Sequence, residues 1–511
     1  MPVPQTVYFF GNGKAEGSAA DRMILGGKGA NLAEMTAIGV PVPPGFTIAC
    51  SACLSYLKDG GIADALRAEV AQAIGRLEAA IGKRFGDTEN PLLVSVRSGA
   101  PASMPGMMET ILNLGLTPAA VEGLARQTNN PRFAWDSYRR FVQMYGDVVL
   151  NVPHHDFEHL LSAKRRYCGV ESDAQLDHVA LRDIAYEYLA LVNEKTGHPF
   201  PEDPAVQLWG AIEAVWGSWN LKKAVDYRRV NHIPETWGTA VNVQAMVFGN
   251  MGDDSGTGVA FTRNPSTGEH RFYGEFLVNA QGEDVVAGIR TPLPIDEMAR
   301  ALPSAYRELM VVQEKLERHF HDMQDLEFTV ERGTLHLLQT RTGKRTAAAA
   351  VTIATAMVAE GLISRDEALQ RVKAEQLDQL LHPVIDPAVR ATPIAVGLPA
   401  SPGAASGMAV FDADVAEVRA AHGEHVILVR EETTPEDFHG MVAAKAILTA
   451  RGGMTSHAAV VARGMGKCAI VGCKELEIDV RNKRLHVAGI TIQEGEWLTL
   501  DGATGRVFAE H

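Results

Sequence analysis

The sequence is poor in cysteine, in positive charge and in long apolar runs, and each shortage excludes a class of protein. Five cysteines in 511 residues are too few for a disulfide-stabilised secreted domain, so we expect a reducing compartment and a cytoplasmic protein. Lys and Arg number 48 against 62 Asp and Glu, and the net charge of −14 argues against a nucleic-acid partner. The apolar stretch 346–359 is too short for a membrane span, and the N-terminus shows no signal-peptide pattern.

The chain is long enough for about three domains of roughly 150 residues. Apolar and aromatic side chains recur at helical spacing through residues 118–235. Five prolines between residues 382 and 407 mark the clearest linker. We therefore predict a multidomain α/β and α+β protein, with a first domain at 1–341, a helical and Pro-rich linker at 342–394 and a last domain at 395–511.

Local patterns predict individual elements within these domains. Short Val/Leu-rich runs bounded by turn residues indicate strands, and Ser364 with Glu367 forms a capping box at a helix start. The predicted elements are strands at 92–97 and 239–249, a hairpin at 325–341 turning at 331–333, and helices at 344–359 and 364–381.

Cys50 and Cys53 have C-x-x-C spacing. A zinc site needs a second pair at similar spacing, and the sequence has none. A redox motif stays open, but two small buried thiols near a helix start are the favoured interpretation.

The most informative segment is Gly452-Gly453-Met454-Thr455-Ser456-His457, followed by a helical pattern of small residues. The glycines permit a tight turn close to a ligand, and Thr455 and Ser456 are good helix N-caps. His457 then lies near a helix N-terminus, which favours a phosphate, and its neutral imidazole can attack phosphorus. Arg463 is placed to help hold phosphate oxygens. The alternative is a structural histidine after a simple turn.

Two basic residues stand in glycine-containing motifs of the first domain. Lys28 lies in Leu25-Gly26-Gly27-Lys28-Gly29, where glycines can cradle a phosphate and the lysine adds a cation, although the Walker A spacing is absent. Arg97 ends an apolar run, and its planar guanidinium suits phosphate oxygens. A surface turn and a structural ion pair are the respective alternatives.

Two later segments complete the set of candidate sites. Residues 252–258, GDDSGTG, are expected to form a flexible glycine loop able to close over a triphosphate. In the predicted hairpin, Glu327 and Gln339 are expected side by side, and their oxygens are hard ligands suited to Mg²⁺ on a nucleotide. A long hairpin loop and an ordinary polar hairpin are the plainer interpretations.

In this order the motifs resemble those of the pyruvate, phosphate dikinase family. Related phosphoenolpyruvate synthases typically carry Cys where this chain has Ser456, and enzyme I of the bacterial sugar phosphotransferase system typically carries Arg where it has Met454. The resemblance covers essentially the whole chain. It is carried by LGGKGANLAEM, VSVRSGAPASMPGMMETILNLG, GNMGDDSGTGVAFTRNPSTGE, DLEFTVERGTLHLLQTRTGKRT, PASPGAASG, REETTPED and GGMTSHAAVVARGMG.

The resemblance implies an ATP-grasp-like nucleotide domain with a helical insertion, followed by a swivelling phosphohistidine domain. His457 would take the β-phosphoryl group of ATP, and inorganic phosphate would take the γ-phosphoryl group to give pyrophosphate. Thr455 matches the family position that a regulatory protein phosphorylates. The implied catalytic residues are His457, Lys28, Arg97 and Arg341, and Glu327 and Gln339 are the implied Mg²⁺ ligands. The implied nucleotide-binding residues are Lys28, Arg97, Gly252, Ser255, Gly256, Thr257, Gly258, Glu327, Gln339 and Arg341.

The family normally continues into a barrel that binds pyruvate and phosphoenolpyruvate, whereas this sequence ends at His511. We therefore expect the ATP and phosphate half-reaction, with pyruvate reached through a missing or separate barrel. A phosphocarrier or regulatory module is the alternative, and a different acceptor, as in dikinase-like antibiotic phosphotransferases, is a third. A homodimer is left open. Residues 395–508 are expected to form a separate body with a modest polar interface to residues 1–341.

Overall fold

The computed structural model describes residues 5–286, 292–380, 383–386 and 391–509. The chain divides into two units, one of Met1–Met251 with His336–Gln339 and one of Gly252–Leu335 with Thr340–His511. The predicted multidomain mixed α/β class is confirmed at this level. Residues 395–508 belong to the second of these units, and their separation as a body of their own remains a prediction. The domain boundaries at 341 and 394 remain predictions.

The first unit contains a sheet, a parallel strand pair and a set of helices. Its strands are β1 Val7–Gly11, β2 Lys14–Ala15, β3 Gly45–Ile48, β4 Arg84–Phe85, β5 Pro91–Leu92, β6 Val94–Gly99, β7 Thr110–Leu114 and β8 Ala240–Ala245. Its helices are α1 Arg22–Ala37, α2 Cys50–Asp59, α3 Asp64–Ile81, α4 Pro118–Thr128, α5 Pro131–Val148, α6 His154–Cys168, α7 His178–Thr196, α8 Pro204–Gly217 and α9 Lys222–Val230.

The six-stranded sheet of this unit has the order β2-β1-β3-β8-β6-β7, and its pairs are antiparallel. Every residue of β8 is buried, and β6 is buried except for Ser98, because helices cover the centre of the sheet. The aromatic stripe of α5 lies in the core, as its helical spacing predicts: Phe133, Trp135, Tyr138, Phe141 and Tyr145 are buried.

The second unit contains three sheets. Its strands are β9 Gly256–Phe261, β10 Tyr273–Val278, β11 Leu293–Pro294, β12 Gln324–Glu331, β13 Thr334–Thr342, β14 Ala395–Val396, β15 Leu398–Ser401, β16 Ala404–Val410, β17 Val426–Arg430, β18 Ala446–Thr449, β19 Cys468–Val471, β20 Glu477–Asp479, β21 Arg484–Val487, β22 Ile490–Gln493, β23 Trp497–Asp501 and β24 Arg506–Phe508. Of strand β13, residues His336–Gln339 are counted with the first unit. Its helices are α10 Gly282–Val286, α11 Met298–Ala301, α12 Pro303–Phe320, α13 Ala347–Ala359, α14 Arg365–Arg371, α15 Ala374–Gln379, α16 Ala413–Ala421, α17 Phe438–Ala443 and α18 His457–Met465.

The two larger sheets of the second unit differ in the relative direction of their paired strands. The five-stranded sheet, ordered β11-β10-β9-β12-β13, pairs β9 antiparallel with both β10 and β12. The eight-stranded sheet, ordered β14-β24-β23-β16-β17-β18-β19-β15, has a parallel centre from β16 to β19. Its central strands are continuous apolar runs, as is typical of parallel strands buried on both faces. The third sheet is the small meander β20-β21-β22.

The predicted hairpin is confirmed, and its turn has Arg332 at φ 47° and Gly333 at φ 78°. The capping box is also confirmed, because Glu367 N donates to Ser364 Oγ at 3.2 Å. The helix that follows was predicted to run towards Leu381, and this is wrong: α14 ends at Arg371. Residues 381–382 and 387–390 of the predicted linker lie outside the described residues. Within the described ranges, no helix combines the length and hydropathy needed to cross a bilayer.

Cys50 and Cys53 lie at the start of α2, where both thiols are buried. Burial raises the pKa of Cys50 to about 12 and that of Cys53 to about 11, so neither supplies a thiolate at neutral pH. We expect the native protein to show one rapidly reacting thiol, Cys168, in a titration with a thiol-specific chromogenic reagent, and all five after denaturation. Fast reaction of the Cys50–Cys53 pair in the native protein would instead support a redox motif.

Candidate functional site

Lys28 and the end of β6 lie side by side in the first unit. Helix α1 kinks at Gly26, where φ is 67°, and a Cβ at this position would lie 1.5 Å from the carbonyl oxygen of Gly99. Gly27 N donates to Ala100 O at 2.9 Å, and a Cβ on Gly99 would lie 3.4 Å from Lys28 Cβ. Gly26 is therefore required for close packing of helix α1 on strand β6. The sequence predicted a phosphate cradle from these glycines and did not predict this packing role. The packing holds Lys28 beside the strand of Arg97.

Replacing Gly26 with alanine is expected to destabilise the first unit by roughly 3 kcal/mol, because the new methyl group meets backbone and the left-handed φ is strained. Thermal unfolding of the purified variant measures the loss. Gly75→Ala is the matched control: Gly75 lies inside α3 with open space around it, and alanine there should stabilise by up to about 1 kcal/mol. Equal melting of the two variants would contradict the proposed need for close approach.

Arg97 lies on buried strand β6, as predicted, and is 8% exposed. Its Nη2 donates to Gln244 Oε1 at 2.8 Å and to Leu338 O at 2.9 Å. Gln244 is fixed in turn, since its Nε2 donates to Pro43 O at 2.9 Å. Both of these acceptors are neutral oxygens, and they fix the direction of the buried guanidinium. Gln339, the residue after Leu338, is also buried.

The predicted glycine loop at 252–258 is shorter than expected. Gly256, Thr257 and Gly258 lie in strand β9 rather than in a loop. A Cβ on Gly258 would lie 2.6 Å from the Phe328 ring, and Thr257 Oγ1 donates to Phe328 O at 3.0 Å. The prediction that these three residues belong to a flexible loop is therefore wrong, because they pack β9 against its neighbours.

Gly252 and Ser255 do lie in the turn that precedes β9. Ser255 is fully buried, and its Oγ accepts from Arg332 N at 3.0 Å. Gly333 N donates to Asp254 O at 2.8 Å. The turn is therefore tied by hydrogen bonds to the β12–β13 turn.

Glu275 and Glu327 share one face of the five-stranded sheet. Strand register places Glu275 opposite Val259 on β9, and Val259 opposite Glu327 on β12. Residues directly opposite one another in antiparallel strands point to the same face. Two strand spacings separate their Cα atoms by about 10 Å. The predicted metal ligand Glu327 therefore has a second carboxylate on its own sheet face.

The neighbouring row of this face carries Tyr273, Phe261 and Asp325. Asp325 is fully buried, and its Oδ2 accepts from Arg341 Nε at 2.6 Å. Burial raises the pKa of Asp325, and the Arg341 guanidinium opposes that rise. Arg341, a predicted nucleotide-binding residue, is thus held in place by a carboxylate two residues before Glu327.

His457 is the first residue of α18 and is half-buried. Its Nδ1 lies 3.3 Å from Thr433 Oγ1, which positions the ring from the loop after β17. Ser456 occupies the N-cap position, as predicted, but its hydroxyl makes no capping hydrogen bond. The first-turn N–H groups of α18 are therefore not capped by this side chain. Helix N-termini of this kind favour anions.

The loop before His457 docks on Glu275. Thr455 Oγ1 donates to Glu275 Oε2 at 2.8 Å, and Met454 N donates to Glu275 Oε1 at 3.3 Å. A Cβ on Gly453 would lie 2.5 Å from Glu275 Oε2, so this glycine is required for the carboxylate to approach. The histidine segment thus contacts the sheet that carries Glu327.

Replacing Glu275 with alanine is expected to loosen this loop, because both carboxylate oxygens accept hydrogen bonds from it. Faster hydrogen exchange at the Met454 amide should report the change directly, and any phosphorylation of His457 should slow about tenfold. Glu269→Ala in the exposed turn before β10 is the control and should alter neither. Unchanged exchange at Met454 would show that the contact does not hold the loop.

One cluster with metal-binding residue types occurs elsewhere in the second unit. Ligand atoms of His270, Glu317 and Glu360 lie within 4.8 Å of one another. The fully buried Arg263 already pairs with both carboxylates, at 2.7 Å to Glu317 and 2.5 Å to Glu360. The guanidinium occupies an oxygen of each carboxylate, and we assign no metal to the cluster.

Three residues of this geometry were not assigned roles from the sequence: Glu275, Asp325 and Thr433. The sequence could have indicated a role for Asp325, because it stands two residues before Glu327 and therefore on the same face of the strand. Glu275 and Thr433 have no comparable local signal, because their roles depend on strand order and on a contact between distant segments.

The structure distributes the predicted site residues between the two units. Lys28, Arg97 and Gln339 belong to the first unit, and Gly252, Ser255, Gly256, Thr257, Gly258, Glu327, Arg341, Thr455 and His457 belong to the second.

The family profiles and the curated relatives that match this chain point to the same protein family. Residues 22–73, 63–303 and 296–362 match the profile "Pyruvate phosphate dikinase, AMP/ATP-binding domain", and residues 422–505 match "PEP-utilising enzyme, mobile domain". Pyruvate, phosphate dikinase of Rhizobium meliloti is 56% identical over 98% of this chain and 57% of its own length. That of Clostridium symbiosum is 56% identical over 96% of this chain and 57% of its own length. The chloroplastic pyruvate, phosphate dikinase 1 of Arabidopsis thaliana is 53% identical over 98% of this chain and 52% of its own length.

The chain therefore spans about half the length of the curated relatives it matches. The two profiles follow each other in the order in which the nucleotide motifs and the histidine motif follow each other in the sequence. On this evidence the chain belongs to the pyruvate, phosphate dikinase family.

Proposed function

We propose that this chain is an ATP- and Mg²⁺-dependent phosphotransferase of the dikinase type, which converts ATP and inorganic phosphate to AMP, pyrophosphate and a phosphohistidine at His457. Pyruvate is the proposed final acceptor of the phosphoryl group. The fold that goes with this activity is an ATP-grasp-like nucleotide domain followed by a swivelling phosphohistidine domain.

One observation carries the proposal. Glu275 binds the loop before His457, and Glu275 lies in the same row of the sheet face as Glu327. A histidine that must receive a phosphoryl group from Mg-ATP has to come close to the metal-binding face. A histidine with only a structural role has no need of that contact.

The residues of the proposed site fit a nucleotide polyphosphate and its cation. Glu327 and Gln339 supply the oxygen donors that Mg²⁺ prefers, and bound Mg²⁺ would neutralise phosphate charge. Lys28, Arg97 and Arg341 supply positive charge for phosphate oxygens. Arg97 and Arg341 are already oriented by partners in the structure, which lowers the cost of binding.

The proposed step is a nucleophilic substitution at the β-phosphorus. A ring nitrogen of His457 forms the new P–N bond, and the bond from the β-phosphorus to the oxygen that bridges to the α-phosphate breaks, so AMP leaves. This leaves both the β- and the γ-phosphoryl group on His457. Inorganic phosphate then attacks the γ-phosphorus, and the bond from the γ-phosphorus to the β–γ bridging oxygen breaks. Pyrophosphate leaves, and the β-phosphoryl group stays on the histidine. The hydroxyl of Thr433 lies near Nδ1 and orients the ring.

Thr455 is the proposed regulatory position. Thr455 is 5% exposed and its hydroxyl is bonded to Glu275, so a modifying enzyme reaches it only after the loop leaves the sheet. A phosphate on Thr455 would face the Glu275 carboxylate, and like charges repel. Phosphorylation would therefore oppose return of the loop to this position.

The test uses ATP carrying isotope in either the β- or the γ-phosphate. Label from the β-position on the protein, with label from the γ-position in pyrophosphate and release of AMP, is the expected result. Label from the γ-position alone would indicate an ordinary kinase. No label on the protein would favour the alternative of a phosphocarrier or regulatory module without nucleotide catalysis.

A further inference from the structure

Arg463, on the histidine helix α18, is buried without full compensation of its charge. It is 2% exposed, and its Nη2 donates to the carbonyl oxygen of Met454. Its Nε and Nη1 have no hydrogen-bond partner among the described residues. An ionised guanidinium left with empty donors in a buried setting is costly, so such an arrangement calls for an explanation.

The acidic groups that face Arg463 do not supply the missing partners. Tyr273, Asp325 and Glu275 interact with it electrostatically. Both oxygens of Glu275 already accept hydrogen bonds from the loop, and Asp325 is paired with Arg341. Burial lowers the pKa of Arg463 to about 10, which shows that these groups only partly offset the loss of hydration.

The position of this guanidinium matters as much as its empty donors. Through Met454 it contacts the loop that ends at His457, and through Tyr273 and Asp325 it faces the sheet that carries Glu327. It therefore lies between the histidine loop and the metal-binding face. In the proposed reaction a phosphoryl group passes between these two places.

We propose that Arg463 is a catalytic residue that binds an oxygen of the phosphoryl group as it is transferred to His457. The inference rests on the proposed function. The planar guanidinium holds its two empty donors, Nε and Nη1, in fixed directions on either side of Nη2. One of them donates to a phosphoryl oxygen while Nη2 stays on the Met454 carbonyl. Arg463 keeps its proton throughout, so only the P–N bond forms and the P–O bond to AMP breaks.

The test is single-turnover labelling from β-labelled ATP by the full chain with Arg463→Gln and Arg463→Lys. We expect the rate to fall about 10²- to 10³-fold with glutamine, the range typical for loss of a donor to a developing oxyanion. Lysine should recover only part of the rate, because a flexible ammonium replaces a donor that the guanidinium holds in a fixed direction. The KM for ATP should stay unchanged, since the contact forms only during transfer.

Two further measurements separate this role from a structural brace on Met454. Added methylguanidinium should restore transfer to Arg463→Ala, and thermal unfolding shows whether each variant is folded. Arg451→Gln is the control: Arg451 precedes Gly452, is 59% exposed at its side chain and should transfer at the normal rate.

The outcomes are distinct. Normal transfer in Arg463→Gln would overturn the proposal. Full recovery by lysine without any response of Arg463→Ala to methylguanidinium would show a brace and overturn it as well. If the unmodified chain itself takes no label, the proposed function fails, whereas a labelled chain with unaffected Arg463 variants removes only this role.

Discussion

Replacing His457 with alanine is expected to abolish transfer of the β-phosphoryl group of ATP to the protein. The nucleophile is lost, because a methyl side chain has no lone pair with which to attack phosphorus. Label on the unmodified chain should be labile in acid and stable in alkali, as expected of a phosphoramidate. Mass spectrometry of peptides prepared at alkaline pH locates it.

The control is another histidine of similar exposure to solvent. His486→Ala replaces a half-buried ring that contacts Thr491 on the small meander β20-β21-β22, and it should label normally. Acid-labile label that persists in His457→Ala would place the nucleophile elsewhere and remove the central residue of the proposed reaction. Nucleotide binding should survive in His457→Ala, because the histidine lies outside the proposed Mg-ATP ligands.

Replacing Glu327 with alanine is expected to slow labelling by roughly 10²-fold or more, since loss of one oxygen ligand weakens both Mg²⁺ binding and transition-state stabilisation by a few kcal/mol. Gln339→Ala should act in the same direction. Raising the Mg²⁺ concentration should recover part of the rate, and removal of divalent cations by a chelator should stop labelling of the unmodified chain.

Glu331→Ala provides the matched control for Glu327. It removes a carboxylate from the same strand, four residues further along and therefore on the same face. Normal labelling by Glu327→Ala would show that Glu327 is not a metal ligand. Equal loss of labelling in Glu331→Ala would show that negative charge on this face, rather than a metal ligand at Glu327, accounts for the effect.

Much of the local structure was predictable, because each element depends on short-range patterns. The buried strand at Arg97, the capping box at Ser364 and the turn at Gly333 follow from alternation, hydrogen-bonding side chains and a residue that tolerates positive φ. The predicted helix towards Leu381 instead ends at Arg371, and no local sequence pattern marks that end. Sequence patterns locate element centres better than element ends.

The glycines show where local reasoning stops. Gly26, Gly256 and Gly258 were read as parts of phosphate-binding loops, yet Gly26 packs against Gly99 and the other two lie in β9. Glycine is required both where a ligand approaches the backbone and where another strand does. The sequence shows the requirement but not which neighbour causes it.

The sequence by itself determined the chemical inventory and its order: the histidine segment, the basic residues, the oxygen donors of the hairpin and the family to which they belong. Only the tertiary structure placed Glu275 under the histidine loop and left Arg463 buried with empty donors beside it. The reason is physical. Residue types set what a side chain can donate, accept or attack, whereas the contact between Glu275 and Thr455, 180 residues apart, depends on strand order and on how α18 packs against a sheet formed by a distant part of the chain.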